Sequence, residues 1–220
     1  MQSPAQYVSG NQLQRRDASR LLPPLLARLD CYGTVLGVDT SQAMVDFARR
    51  TYGTDRIQFQ RADISSPTVA KVIGTTFDRI FSLFCLHWVQ DQRLALKNIR
   101  DLLNTDGHAI LIFLANNKIY EMYEKMSEYP RWQVFMRDWR SFVSPYQQEA
   151  NPAQRFCHLA AKAGLSACRV TAPWCSFEFS TTEDLEAALT PVNPFVDRIP
   201  KEERHTFMAQ CVQESTRRLF

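Results

Sequence analysis

Three points along the chain bring together residue types that do chemistry. Thr34-Val-Leu-Gly-Val-Asp39 is an apolar run ending on a carboxylate, followed at once by the helical pattern Ser41–Arg50. An acid there can accept from both hydroxyls of a ribose, so Asp39 is a candidate nucleoside ligand, with a helix N-cap carboxylate as its plainer role. Arg56-Ile-Gln-Phe-Gln-Arg-Ala-Asp63 alternates polar and apolar residues and also ends on an acid. Asp63 with the backbone of Ile64 can read the amino group and ring nitrogen of adenine, or Asp63 can be a solvated loop acid. Phe77–Phe84 is an apolar run opening into Cys85-Leu-His-Trp88, a turn that can lie under a reacting centre. Open parallel sheets bind ligands at the carboxyl ends of their strands, and all three points fall there. The glycine-rich loop that should precede the first acid is missing, since residues 1–36 contain only Gly10 and Gly33.

The elements that must position these groups follow from periodicity. The spacing predicts helices at 11–20, about 24–30, 41–51, 67–73 and 94–103, with strands at 34–39, 56–63, 77–84 and 108–114. Pro23-Pro24 suits the first turn of the second helix. Met44, Phe47, Ala48 and Thr51 supply one helix face, and Leu94, Ala95, Asn98, Ile99, Leu102 and Leu103 another, closed by Asn104-Thr-Asp-Gly107. Strands alternating with helices indicate a parallel α/β sheet. Residues 116–150 break the rhythm with eight aromatics, Tyr120 and Tyr123 among them, and three methionines. They read as helices interrupted at Pro130 and Pro145, forming either an apolar pocket or a plain helical core. A helix at 153–163, a long strand over Ala167–Ser180 and helices beyond Thr182 complete the pattern.

Composition excludes several classes. With 220 residues, 45% hydrophobic and 22% charged, the chain fits one folded domain rather than a disordered segment. A net charge of +3 from scattered lysines and arginines argues against nucleic acid and against a polybasic membrane anchor. The six cysteines have no C-x-x-C pair and no histidine at zinc spacing, so no metal is expected. Reduced thiols, no apolar run near the ~20 residues of a membrane span and no signal-peptide pattern point to the cytoplasm.

In order, G-V-D-T-S-Q-A-M, the acid at Asp63, F-D-R-I-F-S, L-H-W and N-T-D-G-H-A-I-L-I-F resemble class I S-adenosylmethionine-dependent methyltransferases. Within them, N-x-L-Q-R-R-D-A at Asn11–Ala18 and F-C-L-H-W-V-Q-D-Q-R at Phe84–Arg93 resemble the juvenile hormone acid methyltransferase group of arthropods. The resemblance implies a Rossmann-like three-layer α/β sandwich with S-adenosyl-L-methionine as cofactor. Cofactor contacts would come from Asp39, Thr40, Met44, Asp63, Ile64, Phe84 and Cys85. The acceptor, a small apolar carboxylic acid, would be held by Gln14 and the Trp88 indole, with His87 orienting it and Tyr120 and Tyr123 in its pocket. A carboxylic acid with a pKa of about 4 is already ionised at neutral pH, so no general base is needed.

Two departures from the family pattern carry expectations of their own. The family's first strand and glycine loop need about 30 residues or more, yet only Ser19–Cys31 separates the Gln14 helix from the Asp39 strand. The family also ends on a strand, whereas Thr182–Phe220 reads as helical. Both point to a splice variant, a truncated gene model or a fragment, with an incomplete sheet open at its centre. Its expected layout is N-terminal helices at 1–30, a cofactor-binding core at 34–115, a helical acceptor insert at 116–150, and C-terminal helices and a strand at 153–220. A non-catalytic alternative is a chain that binds apolar ligands, or pairs with itself or a full-length paralogue.

Overall fold

The computed structural model describes residues 4, 7–8, 11–21 and 33–216. The helix expected at about 24–30 lies outside the described residues. Contacts divide the chain into two compact units, Met1–Asp63 with Phe177–Val212, and Ile64–Ser176 with Gln213–Phe220.

The first unit contains helix α1 (Gln12–Leu21), strand β1 (Val35–Asp39), helix α2 (Gln42–Tyr52) and strand β2 (Ile57–Arg61). Strands β1 and β2 run parallel, with Val35 opposite Ile57 and Asp39 opposite Arg61. Ser41 caps α2, its hydroxyl accepting from the Met44 N–H at 3.4 Å. The expected face of α2 is shifted. Val45 is the buried residue, and Thr51 is exposed, because the helix covers only a two-stranded sheet. Gly37 is fixed by close approach, since a Cβ there would meet the Phe59 ring of β2 at 2.5 Å. The unit's later residues form helix α8 (Thr182–Leu189), three short 3₁₀ turns broken by prolines, and most of helix α9 (Arg204–Thr216). Phe195, Ile199, Phe207 and Met208 are buried there.

The second unit contains α3 (Val69–Ile73), β3 (Phe77–Leu83), a 3₁₀ turn at Leu86–Trp88, α4 (Gln92–Leu102) and β4 (Leu103–Ile112). It continues with α5 (Lys118–Glu128), α6 (Pro130–Gln133), a 3₁₀ turn at Trp139–Phe142 and α7 (Pro152–Lys162). Strands β3 and β4 are parallel. Helix α4 buries Gln92, Ala95, Leu96, Asn98, Ile99 and Leu102, and packs with Tyr146, Phe156, Leu159 and Ala160 in one apolar cluster. Just past the end of α7 comes Gly164, whose φ of 84 is the left-handed turn expected of a terminal glycine.

Two expectations are corrected. Asn104–Gly107 does not close α4, which ends at Leu102. Those residues form an irregularity inside β4, where the register jumps between Phe77 opposite Leu103 and Arg79 opposite His108. Asn104 holds the irregularity through Thr76 and Asp78, accepting from the Thr76 hydroxyl and donating to the Asp78 carboxylate. Ala167–Ser180 is not a strand. Ala167 turns at a positive φ of 53, and Trp174 stands 91% exposed. None of the described strands pairs with this segment, and alternating sequence becomes sheet only where a neighbour takes up its N–H and C=O groups.

The incomplete sheet is visible within each unit. Among the described residues there are two separate two-stranded sheets, β1 with β2 and β3 with β4. Val35 and Val38 on β1, and Phe81 and Leu83 on β3, remain exposed. The arrangement is Rossmann-like α/β in its parallel strands and alternating helices. No described helix is long and apolar enough to cross a membrane.

Candidate functional site

In the first unit the chain leaves β1 at Asp39, and the Ser41 N–H donates to Asp39 Oδ1 at 2.7 Å. Ser41, not Asp39, is the helix cap. One carboxylate oxygen is therefore engaged by its own turn, which fixes the side chain, and the other has no partner among the described residues. The Ala62 N–H donates to the Asp39 carbonyl at 3.1 Å, so the run to Asp63 leaves the sheet beside Asp39. Thr40 is held through its carbonyl by Arg61 Nε at 2.9 Å. Met44 lies half-buried in the first turn of α2. The unit thus gathers Asp39, Thr40, Met44 and Asp63 at one carboxyl edge. Tyr7 belongs to the same unit, and burial together with the charge of Asp39 raises its phenol pKa.

Gln14 sits on α1 with its Oε1 buried and unpartnered among the described residues, as is Asn11 Oδ1 one turn earlier. Amide oxygen and nitrogen exchange by a flip, so either atom can be offered to a ligand. A shallow hollow lined by Arg49, Thr54, Asp55 and Gln58 lies at the opposite end of β2 and plays no part at this edge.

In the second unit, Ile64 opens a turn whose carbonyls are clamped by one buried side chain. Asn98 Nδ2 donates to the Ile64 carbonyl at 2.7 Å and to the Ser66 carbonyl at 2.9 Å. Asn98→Ala strands both acceptors, so urea denaturation should show a loss of about 2 kcal/mol. Wild-type stability in that variant would show that the turn needs no clamp.

Phe84 follows β3 with a φ of 53, a conformation that a bulky residue seldom adopts and that costs of order 1–2 kcal/mol. Cys85 is exposed, and its carbonyl accepts from the Trp88 N–H at 2.9 Å to close the turn. His87 is 3% exposed, and burial lowers its pKa to about 4. Its Nδ1 accepts from the Leu114 N–H at 3.4 Å. The neutral ring therefore carries its proton on Nε2 as a donor. The Trp88 ring lies 5.1 Å from the His87 ring.

Tyr120 and Tyr123 are fully buried on α5, with ring centroids 6.3 Å apart, packed into a core with Met122, Met126, Trp132 and Met136. The Tyr120 hydroxyl has no hydrogen-bond partner among the described residues, and burial pushes its pKa far up. Ile64, Phe84, Cys85, His87, Trp88, Tyr120 and Tyr123 thus share the second unit, while Gln14, Asp39, Thr40, Met44 and Asp63 share the first. Sequence reasoning gave no role to Tyr7 or Gln92, counted Tyr146 only among the aromatics of the insert, and placed Asn98 only on a helix face. The available signal was a polar amide at a core-facing helix position, at Gln92 and Asn98 alike.

Residues 19–111 match the methyltransferase domain family. The chain is 29% identical over 181 residues to the juvenile hormone acid O-methyltransferase of Bombyx mori, covering 82% of this chain and 64% of that protein. It is 32% identical over 178 residues to the juvenile hormone acid O-methyltransferase of Drosophila melanogaster, covering 80% of this chain and 60% of that protein. The chain therefore spans less than two thirds of the length of these curated relatives. Methyltransferase domains of this kind generally use S-adenosylmethionine. Over residues 19–111 the chain is thus similar to the methyltransferase domain family, its parallel strands and alternating helices are Rossmann-like α/β, and over most of its length it resembles the juvenile hormone acid O-methyltransferases.

Proposed function

We propose that this chain binds S-adenosyl-L-methionine through its nucleoside end and methylates a small apolar carboxylic acid of the juvenile hormone acid or farnesoic acid type. The observation that carries the carboxylate acceptor is His87. Its one acceptor nitrogen is occupied by the Leu114 N–H, and its pKa is lowered to about 4. At neutral pH it can donate a hydrogen bond and cannot take a proton. A carboxylate needs donors and no base; an alcohol needs a base.

The residues fit the nucleoside end of the cofactor, because Asp39 is pinned through one oxygen and keeps the other for a ribose hydroxyl. In the first unit Asp63, Thr40 and Met44 would meet the cofactor; in the second, the Ile64 backbone, Phe84 and Cys85 would. When bound, S-adenosylmethionine supplies a methyl group on a positively charged sulfur. In the second unit Trp88 and the His87 N–H would hold the acceptor carboxylate and keep water from it; in the first, Gln14 keeps its buried amide for a ligand. Tyr120 and Tyr123 would meet the acceptor's apolar chain.

A second reading has its own observation. With β1 and β3 in separate two-stranded sheets and no glycine loop before Asp39, the chain would hold an apolar acid, or a paralogue, without turnover. Incubation with methyl-labelled S-adenosylmethionine and either a farnesoic-type acid or the matching alcohol separates the cases. The expected product is the methyl ester of the acid and no ether of the alcohol. Ether formation at a comparable rate would refute the carboxylate reading, and acid binding without any ester would favour the second.

A further inference from the structure

Strand β3 enters the Leu86–Trp88 turn through the strained Phe84, so the turn needs bracing from outside. On one side the Phe84 N–H donates to the Ile112 carbonyl of β4 at 2.7 Å. On the other stands the carboxamide of Gln92, only 4% exposed. Its Nε2 donates to the Leu86 carbonyl at 2.7 Å and to the Val89 carbonyl at 2.6 Å. Its Oε1 accepts from the Tyr146 hydroxyl at 3.2 Å. One side chain thus spans both ends of the turn and reaches into the segment returning from α6. Neighbouring bonds fasten that segment to the same place. Gln90 Nε2 donates to the Ser141 and Val143 carbonyls, each at 2.9 Å, and the Ser144 hydroxyl donates to the Leu114 carbonyl at 3.1 Å.

We propose that Gln92 is a positioning residue of the candidate active site: its amide fixes the turn that carries His87 and Trp88, and Tyr146 couples that turn to the helical insert. Only a carboxamide fills the place. A glutamate cannot donate to two carbonyls at neutral pH, and a methionine fills the volume but makes none of the three bonds. The proposal rests on the carboxyl-methylation reading for what the turn aims at, though the clamp itself stands apart from it.

The test follows the His87 imidazole by NMR titration of the ¹⁵N-histidine-labelled chain, its signal assigned by disappearance in His87→Asn. In the wild type it should titrate near 4. In Gln92→Met the turn opens, and His87 should titrate about one pH unit or more higher. Tyr146→Phe, which removes a single hydroxyl, should move it the same way by a smaller, measurable amount, and carries the test alone if Gln92→Met does not fold. A glutamine that merely stabilises the fold would lower the melting temperature and leave His87 where it was. That result in a folded variant overturns the proposal. Absence of methyl transfer by the wild type would sink the functional reading but not touch this titration, so the two failures are distinguishable.

Discussion

Asp39→Ala is expected to weaken S-adenosylmethionine binding by about 100-fold. The variant removes a charged acceptor whose bonds to ribose hydroxyls are worth roughly 1.5–3 kcal/mol each, and every 1.4 kcal/mol is about tenfold in affinity. The side chain is prepared for that task, since the Ser41 N–H holds Oδ1 at 2.7 Å and fixes the carboxylate before any ligand arrives. The fold itself should suffer little, because Ser41 rather than Asp39 caps α2. Isothermal titration of both proteins, with melting curves beside them, separates lost binding from lost structure. Equal affinity in the two would remove Asp39 from the site.

The second large effect is on acid stability. The imidazole of His87 has a folded pKa of about 4, lowered from an ordinary 6.5 by burial. Between those values the unfolded chain binds the proton and the folded chain does not, so protonation favours unfolding. The contribution of this group is fully present above about pH 6.5 and is lost as the pH falls towards 4. A shift of that size corresponds to about 3 kcal/mol across the window. Urea denaturation of the wild type at pH 7 and pH 4.5 should therefore show a steep loss of stability. His87→Gln, which cannot be protonated there, should flatten that slope while giving up the bond from the Leu114 N–H. Parallel slopes in the two proteins would mean that His87 is not buried as a neutral ring.

Much of the architecture was legible because it rests on local rules. Val-Leu-Gly-Val-Asp39 followed by Ser41 reads as strand, turn and capped helix, and forms them. The short Ser19–Cys31 stretch led to the expectation of missing strands, and each unit has only a two-stranded sheet among the described residues. Features that depend on distant partners did not show. Ala167–Ser180 alternates like a strand but forms none. Asn104–Gly107 reads like a helix stop, and the pull of Thr76 and Asp78 makes it a strand irregularity instead. At the candidate site, the acids and the Leu-His-Trp turn were conspicuous by residue type. Gln92 was not, since a glutamine in the first turn of a helix looks solvated until the Leu86 and Val89 carbonyls and the Tyr146 hydroxyl are seen around it.

The Asp39 result depends on a simpler one. Titrating S-adenosylmethionine calorimetrically into the purified 220-residue chain asks whether Asp39, Asp63 and the turns beside them hold a nucleoside cofactor at all. The account predicts one site per chain with micromolar affinity. A protein that melts cooperatively yet gives no binding heat at millimolar cofactor would contradict it.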